Sequence, residues 1–412
     1  MKKRIVFVNL HADWMLMRVA MVYVFKYSAA IKHGYLLKYL LEHTDEFEIC
    51  NYINDRGFSL YTNGSGAIMK FMNIFSGLEN RITLKKNGID RKLIKVLRHP
   101  SEIRPDDLVI LYNVCNEGLR GMDGVNAFKA LSMLHFHGRE GENKMIKDAG
   151  ISCMFNEVNL KETSEIFRRY YDVDIPWVIH PFVFADRFNN FKAFSERQNR
   201  CFSTGTITYK KHKEFLSVYG DPCDQPARKF VKDNPDFFAD TVDCYSSDYL
   251  EDNPGKTINP GDNPILKLYK KFYNRTHVGK QKKYFSFNMV EKFNDYKMHL
   301  LGEEILGVPG IGFVEGMACG SAYIGLDSPM YRELGLVPDV HYISYDGTKE
   351  GLRETIRYWQ RSENQEELER IARTGCEYVR NNFCGDKVAE KIIGGLLSEQ
   401  ARWLKNKYES TK

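Results

Sequence analysis

GVPGIGFVEGMACGSAYIGLD, Gly307 to Asp327, is the stretch on which the reading of this chain turns. Gly310 and Gly312 have no Cβ to hold a ligand away from the backbone. Phe313 opens a short helical turn that closes at Cys319 and Gly320, and SAYIGLD has the length and apolar character of a buried strand. Loop, turn and buried strand in that order form the edge of an open α/β sheet, where ligands sit beyond the carboxyl ends of strands and free N–H groups meet anions. Glu315 falls in the first turn, where its carboxylate can accept from two adjacent hydroxyls. The plainer reading is an acid placed against the helix dipole.

Outward from this stretch, β-rich runs alternate with helical patterns. RIVFVNL, SAAIKHGYLLKYLLEH, FEICNYI, DLVILYN and ALSMLHFHG open the chain, and GISCMFNEV, ETSEIFRRYY and PWVIHPFVF continue it. A second series starts after FNNFKAFSERQNR with CFSTGTI, a strand ending in glycine, and the helical KKHKEFLSVYG. Such alternation predicts parallel sheets covered by helices, here in two successive doubly wound units. Between about Asp221 and Lys283 the pattern weakens, and DNPGKTINPGDNP is dense in turn formers, so that stretch reads as a long surface excursion. The final helix carries an apolar stripe at Val388, Ile392, Ile393, Leu396 and Leu397, suited to packing on protein.

Composition excludes several classes. At 412 residues the chain exceeds one ordinary core, and a net charge of +5 without a long basic tract disfavours nucleic acid. The apolar stretch from Trp14 to Ala30 carries Arg18 and Lys26 and is too polar to span a bilayer. Nine cysteines with no CxxC and no regular spacing fit reduced thiols in a cytoplasm better than a disulfide frame or a zinc cage. The first loop, NLHADWMLMR, lacks G-x-G-x-x-G, which argues against a dinucleotide oxidoreductase. Asp106 and Asp107 precede a strand and point opposite ways if extended, so no metal site is expected there.

GFVEGMACGSAYIG resembles the E-A-M-A-C-G-x-P-V-I signature of group 1 (family 4-like) glycosyltransferases. VIHPFVFADRF is similar to the V-I-P-N-G-V-D-x-x-R-F that closes their N-terminal domain, and CFSTGTI to the strand that opens the C-terminal one. The resemblance implies the GT-B fold, in which two Rossmann-like domains face each other across a cleft. The expected division is residues 1–192 for an acceptor-side domain, 193–385 for a nucleotide-sugar domain and 386–412 for a helix returning to the first. The implied activity is transfer of a sugar from a nucleotide-diphosphate sugar to a glycan or lipid-linked glycan in bacterial surface polysaccharide synthesis, with retention. It also implies Gly205, Thr206, Lys210, Lys211, Gly310, Ile311, Gly312, Phe313 and Glu315 as donor-binding, Glu315 taking the ribose diol. His137 and Asp13 are the catalytic or acceptor-side candidates, and neither a cofactor nor an obligatory metal is expected.

Other readings stand beside these. Lys210, Lys211 and Lys213 also read as a solvated face, His135 and His137 as structural histidines, and Asp13 as a helix cap. The family's second Glu, eight positions before Glu315, is replaced by Gly307, with Glu303 or Glu304 as substitutes. Its Arg after the strand glycine is replaced by Thr206. These departures keep open a non-catalytic nucleotide-sugar or glycan-binding subunit, and a GT-B epimerase or phosphorylase is the nearest enzymatic rival. Lys85, Lys86, Arg91, Lys92, Lys95 and Arg98 form a basic patch suited to an anionic membrane surface at the inner face of the cell membrane.

Overall fold

The computed structural model describes residues 2–10, 33–53, 81, 84–112, 119, 121–133, 136, 138, 141–248, 261–277 and 287–409. Two compact units divide the chain: residues 1–159, 167–181 and 385–412 in unit 1, and 160–166 with 182–384 in unit 2. Both are α/β, as the alternation of the sequence predicts.

Unit 1 holds β1 (Lys3–Val8), β2 (Phe47–Tyr52), β3 (Ile94–Leu97), β4 (Leu108–Tyr112), β5 (Phe128–Ser132), β6 (Cys153–Asn156) and β7 (Trp177–Ile179). They form one sheet in the order β3-β2-β1-β4-β5-β6-β7, every pair parallel. The order reverses between β1 and β4, which makes that crevice the topological switch point. β4 (LVILY) is an unbroken apolar strand buried along its whole length, as a strand between two helical layers must be, and β5 (FKALS) is equally buried, its Lys129 Nζ donating to the Met122 and Val125 carbonyls. At the amino ends of β1 and β4, Asp107 is fully buried against Arg4 at 3.0 Å, an ion pair that ties two strands together.

The helix Gly385–Glu409 belongs to unit 1 and buries Val388, Ala389, Ile392, Ile393, Leu396 and Gln400 at helical spacing. The Trp403 ring meets Phe128 edge-on at 6.0 Å, and Gln400 Nε2 donates to the Asp106 carbonyl at 3.0 Å. Gly395 lies so close to Val178 that a Cβ would come within 2.7 Å of its Cγ1.

Unit 2 holds β8 (Gln198–Ile207), β9 (Val242–Asp248), β10 (Tyr296–Leu300), β11 (Ala322–Leu326) and β12 (Ile343–Tyr345), all parallel in the order β12-β11-β10-β8-β9. Its switch point lies between β8 and β10. Helix Lys349–Gln360 is capped by the Thr348 hydroxyl and buries Leu352, Ile356 and Trp359. Leu352 and Ile356, fully buried, each contribute about 1.5–3 kcal/mol. Among the described residues no helix is long and apolar enough to cross a membrane, and the eight described cysteines are free thiols.

One expectation is corrected here. The stretch from Asp221 to Lys283 is not simply a surface excursion, because it supplies helix Pro226–Asp233, strand β9 and helix Pro264–His277. β9 reads VDCYSSD, too polar to signal a strand. Among the described residues it sits at a sheet edge and pairs with β8 alone, where one flank needs no apolar cover.

Candidate functional site

The signature segment folds at the carboxyl side of the unit 2 sheet. Helix Gly312–Ala318 follows β10 and leads into β11, starting one residue before the expected Phe313. Phe313 is fully buried against Tyr323 and Tyr331, while Ile311 is half exposed. Gly312 and Gly316 owe their missing side chains to packing. A Cβ at 312 would come within 2.6 Å of Leu301, and one at 316 within 2.3 Å of the buried His299 imidazole. Packing thus gives Gly312 a reason to be glycine besides the approach of a ligand.

Glu315 projects from the first turn and is mostly buried. Burial pushes its carboxyl up to about 7, and the cation of Arg187 pulls the other way. At neutral pH its protonation is poised, and a partner that donates hydrogen bonds favours the charged form.

Gly205 and Thr206 end β8, where the sequence reading put them, and the group beside them was not foreseen. Arg228, from helix Pro226–Asp233, donates through Nη1 to the Thr206 carbonyl at 2.8 Å and through Nε to the Leu301 carbonyl. Its guanidinium thereby spans the ends of β8 and β10, across the switch point. Gly205, at φ 122°, has room for no side chain, since a Cβ would lie 2.7 Å from the guanidinium carbon. At Gly310 a Cβ would lie 3.1 Å from Nη2, so the signature loop also borders this cation. The family places its arginine one residue after the strand glycine, whereas this fold brings one in from a helix twenty-two residues later.

Lys210 is largely buried and pairs with Asp224 at 3.0 Å, while Lys211 is exposed. Burial raises the Asp224 carboxyl above its ordinary value although Lys210 pulls it down. Glu304 joins the same group. Burial and then the Asp224 charge push its carboxyl up to about 7, against Lys210 and Arg228. Lys210 and Arg228 therefore face two carboxyls that burial biases toward the neutral form, Asp224 and Glu304, so cationic character gathers at the carboxyl ends of β8 and β10.

Glu303 and Glu304 diverge. Glu303 is buried, its Oε1 accepting from the Tyr331 hydroxyl at 2.7 Å, the Leu326 N–H at 2.9 Å and the Tyr323 hydroxyl at 3.2 Å, which holds β11 rather than a ligand. Gly307 cannot be a glutamate in this backbone. Its φ is 82°, and a Cβ would fall 2.1 Å from the Thr163 carbonyl oxygen.

His137, His135 and Asp13 lie outside the described residues. Sequence reasoning also missed a cluster in unit 1, where His33, Glu157 and His180 converge. Their separations of more than twenty residues leave no local motif. A cavity of about 550 Å³ elsewhere in unit 1 is lined by Asp123, Lys144 and Asp148, with Lys144 and Asp148 paired to each other at the surface.

No family model and no curated protein matches the sequence. Solved structures do show similarity. Sucrose-phosphate synthase from Thermosynechococcus elongatus is 10% identical, with 98% of this chain and 100% of that chain covered and a TM-score of 0.47. Anabaena HepE in complex with UDP and glucose is 11% identical, with 96% and 100% covered and a TM-score of 0.49. A putative UDP-N-acetylglucosamine 2-epimerase from Listeria monocytogenes is 10% identical, with 98% of each chain covered and a TM-score of 0.43.

Proposed function

We propose that this protein is a glycosyltransferase whose unit 2 binds a nucleoside-diphosphate sugar at the carboxyl ends of β8 and β10. The observation that carries the reading is Arg228, a guanidinium held across the switch point by two backbone carbonyls and bordered by Gly205 and Gly310. A diphosphate needs fixed donors and positive charge, and a preorganised guanidinium supplies both without reorganising when charge develops on the leaving group. Lys210 adds a second cation, and Glu315 accepts the ribose hydroxyls. With these cations present, the transfer requires neither a metal at the diphosphate nor a resident cofactor.

The acceptor is a glycan or lipid-linked glycan, and the reaction belongs to surface polysaccharide synthesis in the cytoplasm. Free thiols support that compartment. The exposed Lys85, Lys86, Arg91, Lys92, Lys95 and Arg98, on and beside edge strand β3, supply a surface for anionic lipid. Retention of configuration follows the resembled family. The second reading, a nucleotide-sugar-binding subunit without catalysis, is favoured by the glycine at 307.

The test is a panel of UDP-, GDP-, ADP- and CMP-sugars presented to the full chain, with melting temperature and nucleotide release measured together. A donor that raises the melting temperature and is turned over supports the enzyme. Binding without turnover supports the subunit, and no binding to any donor overturns both.

A further inference from the structure

Unit 1 gathers a set of chemistry-bearing side chains for which the donor reading has no use. His33 stands at the head of helix Gly34–Glu42, Glu157 follows β6 and His180 follows β7. One ligand atom from each lies within 4.8 Å of the others. Glu157 and His180 are buried. All three belong to the carboxyl side of a parallel sheet, where an open α/β fold builds its sites.

Three observations say what this cluster accepts. The first is the tautomer of His180. Its Nδ1 is 3.1 Å from the Pro181 carbonyl, which can only accept, so Nδ1 carries the proton and Nε2 keeps its lone pair. That Nε2 is fully buried and has no hydrogen-bond partner among the described residues. An imidazole anchored through one nitrogen to a carbonyl, with the other bare, is how a protein presents a metal-ligating histidine.

The second observation is Glu157. It is almost fully buried just past the end of β6, with a carboxylate oxygen within 4.8 Å of a ring nitrogen from each of the two histidines. A buried carboxylate needs a counter-charge, and a cation at its oxygens would supply it.

The third is backbone strain. His33 adopts φ 45°, ψ 48°, a left-handed conformation that costs a residue with a Cβ about 1–2 kcal/mol. Such strain concentrates at sites where a side chain must be aimed. Here the ring is set among Tyr112, Phe155 and His180, with centroids 5.3, 5.9 and 5.5 Å away.

We propose that His33, Glu157 and His180 are the three protein ligands of a divalent first-row transition-metal site, with zinc the ion it suits best. Two neutral imidazoles and one carboxylate form a borderline donor set that prefers such ions to calcium or magnesium. Zinc with bonds of about 2.1 Å in tetrahedral geometry sets ligand atoms roughly 3.4 Å apart, so the ion draws these atoms in through side-chain torsions. Three protein ligands leave a fourth position for a water or a substrate oxygen. Tyr112, whose hydroxyl is buried with no partner among the described residues, stands beside His33 to meet such an oxygen. This site is independent of the donor reading and stands or falls by itself.

The test uses the full chain, stripped with chelator, dialysed, and titrated with Co²⁺ and then Zn²⁺. The expected result is one ion retained per chain, visible cobalt d–d bands without a thiolate charge-transfer band, displacement of cobalt by zinc and a higher melting temperature. Glu157→Gln and His180→Asn should each weaken cobalt binding at least tenfold. Failure of the wild-type chain to retain either ion, a thiolate band, or undiminished binding in both variants would overturn the proposal. Because the wild-type titration decides alone, a variant that fails to fold does not shelter it.

Discussion

Replacing Glu315 by glutamine changes a carboxylate that can accept from both ribose hydroxyls into an amide with one accepting atom. Losing one charge-assisted hydrogen bond costs about 1.5–3 kcal/mol, roughly a 10- to 150-fold rise in the dissociation constant of a nucleotide-sugar. The burial of Glu315 adds a second signature. With its carboxyl pushed up to about 7, the ionised fraction is roughly one-tenth at pH 6 and nine-tenths at pH 8. Relative to the glutamine variant, donor affinity of the wild-type chain should therefore rise about tenfold between those values, because only the carboxylate accepts from both hydroxyls. A nucleotide-sugar diphosphate has no titration of its own in this window, and Glu304, whose carboxyl is likewise pushed up to about 7, titrates in wild type and variant alike, so isothermal titration of both at pH 6, 7 and 8 isolates Glu315 as their difference. Stability of the unliganded chain moves the opposite way. A carboxyl whose folded pKa lies above its unfolded one favours the fold most below about 4.5 and loses that contribution as pH rises through 7. The glutamine variant should lack both this rise in affinity and this part of the stability slope. An equal pH slope in wild type and variant, or no loss of affinity, refutes the assignment of Glu315 to the ribose.

Arg228→Met should weaken nucleotide-sugar binding more than nucleoside binding, because the guanidinium serves the diphosphate; equal losses for both ligands in calorimetry would mean it only ties β8 to β10. Gly307→Glu, which restores the residue the family carries, should destabilise the chain by at least about 2 kcal/mol in urea denaturation, from left-handed backbone and a Cβ 2.1 Å from the Thr163 oxygen, and should not tighten donor binding. Trp403→Ala should lower stability by about 2 kcal/mol, less than the ~3–5 kcal/mol of a fully buried tryptophan because its ring is partly exposed, and an unchanged urea midpoint would deny its packing on Phe128. Liposome flotation should show salt-sensitive binding to anionic vesicles that is lost when Lys92 and Lys95 become glutamate; binding unaffected by salt or by the variants removes the membrane surface from the account.

Most of the fold was legible because its information is local. Buried parallel strands such as DLVILYN read as unbroken apolar runs, and the helix Lys349–Gln360 announces itself through a threonine cap and apolar spacing of four and three. β9 was not legible, since an edge strand paired on one side needs little apolar character. The site was legible only where one segment carries it. Glu315, Gly310 and the end of β8 lie in readable motifs, but Arg228 reaches the switch point from a helix that no strand pattern flags. The metal-type cluster is further from view, because His33, Glu157 and His180 meet only when two strand ends and a helix start come together. Gly307 shows the reverse case. It reads as a missing catalytic-type acid, and the backbone explains it as a position where no side chain fits.

The central claim, that a nucleoside-diphosphate sugar lies at the carboxyl ends of β8 and β10, is tested most directly by hydrogen–deuterium exchange of the full chain with and without the donor that raises its melting temperature most. The account predicts protection concentrated at residues 205–211, 224–230 and 301–316, and reduced protection at all three in Arg228→Met. Protection confined to other strand ends, or none at these three segments under saturating donor, would contradict it.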